Sequence, residues 1–278
     1  MKGAKLVYLD KKESAQMDQV SDTTGVFGAS RHSTEYGQHN PGEVIAVLQN
    51  GIARYARNPA ASLVSIRKRL ARNLDYANPF SAELVQTLIY ERLAPLHARE
   101  TLKMVTILHS PWNTTPIDLK INYPSIAAKV RRELAGIHGI FAVEFAYFQN
   151  VRLRNSRLVA PHCQGICWGD AIHTVTQRGS LRFGGGEFGA VPVVAKDVYD
   201  LSGAVRYSFK HPYREYAVYQ RRDGRFWHGE RELRQMSAFM IWDYARYYGW
   251  PDTIFGIGEG ALILNQIAKQ NRFWRRMN

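Results

Sequence analysis

The sequence has little with which to cross-link, anchor or export itself. Its two cysteines, Cys163 and Cys167, lie four apart with no further thiols to complete a structural zinc set, so both are expected as free thiols in a reducing compartment. No run of 18 apolar residues is present to span a bilayer, and MKGAKLVYLDKKESAQ lacks the apolar stretch of a signal peptide. A cytoplasmic protein with no membrane partner is therefore expected. The glycine cluster RFGGGEFG has neither a preceding strand nor a Gly-Lys-Ser/Thr ending, which excludes a phosphate loop. Negative charge is also scarce: 24 Asp and Glu face 37 Lys and Arg, a formal charge of +13. That excess favours a polyanionic partner, bound through phosphate contacts and counterion release. Hydrophobic residues make up 45% of the 278, enough for a real core and too many for a disordered chain.

Texture divides the chain into four parts. Residues 1–42 are polar and aperiodic and read as a flexible arm. Residues 43–100 read as a helical region: VIAVLQNGIARYA places Val44, Val47, Leu48, Ile52 and Tyr55 on one stripe, SLVSIRKRLARNL and AELVQTLIYERLAPL repeat the pattern, and Asn58-Pro59 and Asn78-Pro79 punctuate the helices. Arg67, Lys68, Arg69 and Arg72 load the second of these helices with charge suited to a phosphate backbone or to solvent. Residues 101–220 alternate strand and helix. LKMVTILHS reads as a strand, Tyr123 to Ala135 as a helix, and GIFAVEFAYFQ and LVAPHCQGICWG as a strand pair joined by the basic stretch NVRLRNSR. VPVVAKDVYDLSGAVRYSFK offers a strand and a helix. Residues 221–278 read as a helical tail, in which WHGERELRQMSAFMIWDYARYY carries Leu233, Met236, Phe239, Met240 and Tyr244 on one face. The fold class expected is α+β, with an antiparallel sheet carrying the site.

The chemistry concentrates between Glu144 and Gln164. Alternate residues of a strand share a face, so His162 and Gln164 point one way and Cys163 the other. A neighbouring FAVEF strand would bring Glu144 beside them, giving a carboxylate, an imidazole and an amide oxygen. Such a set suits Mg²⁺ or Mn²⁺ better than a tight zinc site. Arg152, Arg154 and Arg157 crowd the loop between the two strands, and Arg221, Arg222 and Arg225 a later turn, near Tyr219 and Phe226. Cations that track phosphates beside rings that stack on bases are the chemistry of single-strand nucleic-acid binding.

The succession of strand, helix, two strands, helix and YSFK (Tyr207 to Lys210) over residues 102–215 resembles the catalytic domain of the HUH endonucleases, the rolling-circle replication initiators and relaxases. Here Gln164 stands where that family usually has its second histidine, a His-x-Gln version similar to the circovirus-type form. The resemblance implies Glu144, His162 and Gln164 as metal ligands for Mg²⁺ or Mn²⁺, Tyr207 as nucleophile and Lys210 as the lysine that follows it. It further implies single-stranded DNA or an origin hairpin as substrate, nicked through a phosphotyrosine intermediate. On a helix Lys210 would share a face with Tyr207 and could orient the phosphate or lower the tyrosine pKa. Tyr213, Tyr216 and Tyr219 are alternative nucleophiles.

Two other readings stand beside this one. A DNA-binding protein on the same fold would lack nicking, because Gln164 weakens the metal site. A helix-turn-helix regulator would hold its DNA-binding unit within residues 43–99, prefer duplex DNA and ignore metal. A hydrolase built on Cys163 is disfavoured, because that thiol would face away from His162.

Overall fold

The computed structural model describes residues 40–70, 75–116, 120–151, 156–185, 190–220, 222, 224 and 226–270. The arm at 1–39, Arg72, Arg152, Arg154, Arg221, Arg225 and the glycine run at 186–189 lie outside the described residues, as do the side chains of Arg67, Lys68 and Arg69.

Helix α1 (Pro41–Tyr55) starts two residues earlier than the hydrophobic stripe indicates, because Asn40 accepts a hydrogen bond from the Gly42 amide at 2.8 Å and Pro41 occupies the first turn. The same device starts α2 (Pro59–Leu70), where Asn58 accepts from the Ala61 amide at 3.1 Å. Helix α3 (Ser81–His97) follows. Val44, Leu48 and Ile52 of α1 are buried as their spacing predicts, while Val47 and Tyr55 are half-buried.

Strand β1 (Lys103–Leu108) leads to α4 (Tyr123–Glu133), capped by Asn122, and then to the hairpin of β2 (His138–Val151) and β3 (Ser156–Trp168). Helix α5 (Val175–Arg182), β4 (Val193–Asp197) and α6 (Leu201–Ser208) come next. Up to β4, the strand order is β4-β1-β3-β2 with every neighbouring pair antiparallel, the split βαβ arrangement. The structure is thus mixed α and β around a curled, mostly antiparallel sheet.

The expectation of a purely helical C-terminal part is corrected here. Strand β5 (Glu215–Gln220) runs parallel to β2 and pairs with β6 (Phe226–Arg231), so WHGER is a strand rather than the start of a helix. Helix α7 begins only at Gln235 and runs to Ala245, burying Ser237, Ala238, Ile241 and Trp242; Phe239 and Met240 are half-buried. A short helix α8 (Trp250–Thr253), strand β7 (Ile254–Ile257) and helix α9 (Glu259–Gln270) complete the described chain. Strand β7 pairs with Gly139 to Ala142 of β2, and β5 with Tyr147 to Gln149, so Glu144 sits in the interval between them. The first turn of α9 lies against β2 so closely that a Cβ on Gly260 would fall 1.9 Å from the Gly139 carbonyl oxygen, which only glycine avoids.

The 43–100 helices share one hydrophobic core with the sheet: Leu48, Ile52, Val85 and Leu93 belong to the same cluster as Phe141, Ile166, Trp168 and Trp242. Polar ties hold them to the segment around α6. Gln86 donates to the Phe209 carbonyl at 3.0 Å, and Tyr213 donates its hydroxyl hydrogen to the Ala77 carbonyl at 2.8 Å.

Candidate active site

The β2–β3 register places Glu144 directly opposite His162 and Ala142 opposite Gln164, while Thr106 of β1 lies opposite Gln164 on the other side. Directly opposed residues share a face, so Glu144, His162 and Gln164 project together. All three are buried, at 2%, 2% and 0% exposure. Beside them Ala146, Phe148, Leu158 and Val218 form a small apolar cluster of their own. Burial in such surroundings makes each polar bond worth more and each unmatched group costlier.

The fourth member is Lys210, also buried. Its Nζ lies 2.7 Å from Glu144 Oε2 and donates to Gln164 Oε1 at 2.6 Å and to the Tyr207 carbonyl at 3.1 Å. The same ammonium sits 4.4 Å from the centre of the Tyr207 ring. His162 Nε2 is 3.6 Å from Glu144 Oε2, and its Nδ1 lies 3.2 Å from the Ala160 carbonyl. Glu144 Oε1 is buried with no hydrogen-bond partner among the described residues, which leaves it a spare acceptor.

These contacts set the protonation states. Burial alone would raise the Glu144 carboxyl, but the Lys210 ammonium and His162 more than offset it, so its pKa lies below the ordinary carboxylate value. Burial lowers the pKa of Lys210, against the opposing pull of Glu144. Burial pushes the Tyr207 phenol well up, reinforced by Tyr216 and Glu144 and only partly countered by Arg214 and a hydrogen bond with Gln164. A lowered tyrosine pKa is therefore not what this arrangement delivers.

Two further expectations change. Lys210 is not on a helix face: α6 stops at Ser208, and Pro212 disfavours helical geometry at His211. The lysine instead folds back from the turn onto the sheet. Arg157 lies within β3 and not in the loop between the strands, an odd number of positions from His162, and reaches Met240 Sδ of α7 at 3.9 Å. Arg222 is exposed in the β5–β6 turn. Tyr213 is fully buried and committed to Ala77, Tyr219 is half exposed, and Tyr207 alone of the candidates packs against the Lys210 ammonium. The spacing did not single out Arg214, which is buried, bonded to Glu230 at 3.1 Å and close enough to Tyr207 to bear on its titration. Cys163 and Cys167 are free and buried, and burial raises both thiols, Cys167 to about 12, which leaves neither a nucleophile at neutral pH.

Among the described residues no three His, Cys, Asp or Glu side chains come together as a metal-binding group. The set at hand is one carboxylate, one imidazole and one amide oxygen, the carboxylate and the amide already on a cation, and the spare Glu144 Oε1 adds a further oxygen. That donor chemistry fits a small divalent ion of Mg²⁺ or Mn²⁺ type. Among the described residues no helix is long and apolar enough to cross a membrane. Comparison with protein-family models, with curated proteins and with solved structures finds no match to this chain.

Proposed function

We propose that this chain is an HUH-type endonuclease that nicks and rejoins single-stranded DNA through a tyrosine, serving as the initiator of rolling-circle replication for a plasmid or phage-like element. The observation that carries this reading is the convergence of Glu144, His162, Gln164, Tyr207 and Lys210, drawn from two strands and a helix–turn, with Lys210 Nζ within 2.7 Å of both Glu144 and Gln164. Glu144, His162 and Gln164 would hold the ion, which when bound polarises the scissile phosphate and offsets its developing charge. Tyr207 Oη attacks phosphorus; the new P–O bond forms as the bond to the 3′-oxygen breaks, leaving a 5′-phosphotyrosine and a free 3′-hydroxyl that carries away the phenolic proton. Rejoining runs the same exchange backwards. Arg222, together with Arg152, Arg154 and Arg221, would supply phosphate contacts for a single strand or an origin hairpin, and a host helicase would open the duplex. A cytoplasmic setting suits free thiols and this substrate.

A non-catalytic DNA binder on the same fold is the second reading, favoured by one observation: Lys210 already neutralises Glu144 and uses the Gln164 oxygen. Incubation with labelled single-stranded oligonucleotides, in Mn²⁺ or in EDTA, separates the two. A denaturation-resistant adduct that needs Mn²⁺ and disappears in Tyr207→Phe is the result expected of the nuclease. Tight binding with no adduct on any oligonucleotide would replace it with the binder.

A further inference from the structure

We propose that Lys210 is a tethered counter-ion that occupies the divalent ion's position, so that metal enters this site only by exchange with the lysine ammonium. The inference rests on the metal-dependent reading above and goes beyond it. Lys210 Nζ draws on one oxygen of Glu144 and the side-chain oxygen of Gln164, at 2.7 and 2.6 Å. Both are oxygens the ion would need, and an ion using them would meet a like charge at contact distance. Buried acceptors at 2% and 0% exposure cannot turn to water for a substitute, so the two cations exclude one another.

The backbone around Lys210 favours a side-chain exchange over a rearrangement of the fold. Gln86 of α3 holds the Phe209 carbonyl, Tyr213 is anchored on Ala77, and the lysine lies between these two ties on a turn outside the helix. Its four-carbon stem can swing while the main chain stays. On release the ammonium remains beside the Tyr207 ring, over which it already sits, and there it meets the phosphate that the tyrosine attacks. One charge thus serves twice: it stabilises Glu144 before metal and DNA arrive, and it pairs with phosphate afterwards.

Mn²⁺ binding to the full chain, followed by the loss of the free-ion electron paramagnetic resonance signal, tests this directly. Lys210→Met is expected to bind at least about tenfold more tightly than the wild type, since a charge-assisted hydrogen bond is worth at least that factor. Lys210→Arg, which keeps a competing cation, should stay near the wild type, and Glu144→Gln in either background should remove the shared site. Equal affinity of Lys210→Met and wild type, with both losing the ion in Glu144→Gln, would overturn the exchange and leave the metal reading standing. No Mn²⁺ bound by either protein would overturn both. Reductive methylation of the wild type decides the matter if Lys210→Met fails to fold. Lys210 should be protected without Mn²⁺ and modified with it, and equal protection in the two states refutes the exchange.

Discussion

The Glu144–Lys210 pair makes a quantitative demand on stability. Its two charges are buried, at 3% and 7% side-chain exposure, and separated by 2.7 Å, so removing either one strands the other in an apolar setting. Lys210→Met leaves Glu144 with His162 at 3.6 Å in place of an ammonium at 2.7 Å, and breaking a buried pair in this way costs about 3–5 kcal/mol. That is a large share of the roughly 5–15 kcal/mol by which a domain is stable. Glu144→Gln should cost a similar amount, because Lys210 loses the carboxylate in contact with it and keeps neutral partners in Gln164, the Tyr207 carbonyl and the Tyr207 ring. The double variant removes both charges and should be less destabilised than the sum of the two by at least about 2 kcal/mol, the coupling expected of groups in one network. Urea unfolding at neutral pH with a chelator present measures all four corners of the cycle. Single-variant losses below about 1 kcal/mol that simply add would refute the reasoning, since an exposed or water-screened pair behaves that way.

Other perturbations separate architecture from chemistry. Tyr213→Phe loses one buried hydrogen bond, to Ala77, and should destabilise by about 1 kcal/mol in chemical denaturation while leaving the Mn²⁺-dependent DNA adduct intact. Gly165→Ala should cost about 1–3 kcal/mol in the same assay, because its Cβ would fall 2.4 Å from the Ile140 oxygen and 2.5 Å from the Phe141 ring. Arg222→Ala, on an exposed turn, should weaken single-strand binding equally for all sequences and lower the salt dependence of the affinity by roughly one counterion, read from titrations at several ionic strengths.

What the sequence makes legible follows the range of the interactions involved. The β2–β3 hairpin is visible because two apolar, β-branched and aromatic runs flank a polar basic stretch, and alternation alone puts His162 and Gln164 on one face. Helix α1 is visible through its hydrophobic stripe, whereas the Asn40 cap and Pro41 that set its start lie ahead of that stripe. Strands β6 and β7 are not visible. FWHGER carries glycine and charge through its middle, and IFGI is four residues long. Both become strands because β5 and β2 offer them edges, information that sits in distant segments. The pairing of Glu144 with His162 is intermediate: both strands are readable, but their register depends on an irregularity at Gln149 to Val151, where Asn150 takes a positive φ of 64°. Lys210 does sit over the Tyr207 ring, but it does so from a turn and not from a helix face. Helical spacing ties it to the Tyr207 side chain, whereas the early stop of α6 and the Gln86 tie to Phe209 send it to Glu144, 66 positions away.

The same geometry separates two kinds of charge in a strongly basic protein. Counterion release answers to cations that phosphates can reach, and Lys210, buried and paired with Glu144, is not among them before exchange. The net charge of +13 is therefore expressed on the surface, by groups such as Arg222, while the site itself is internally neutralised. Salt and divalent metal should then act on different steps. On the proposed function, rising ionic strength would weaken capture of the strand, because it screens the surface cations. On the proposed exchange, divalent ion would act after capture, because it would compete for two oxygens that Lys210 holds. A dependence of the adduct on Mn²⁺ that persists among complexes already bound, at a salt concentration that leaves binding saturated, is what this division of labour requires.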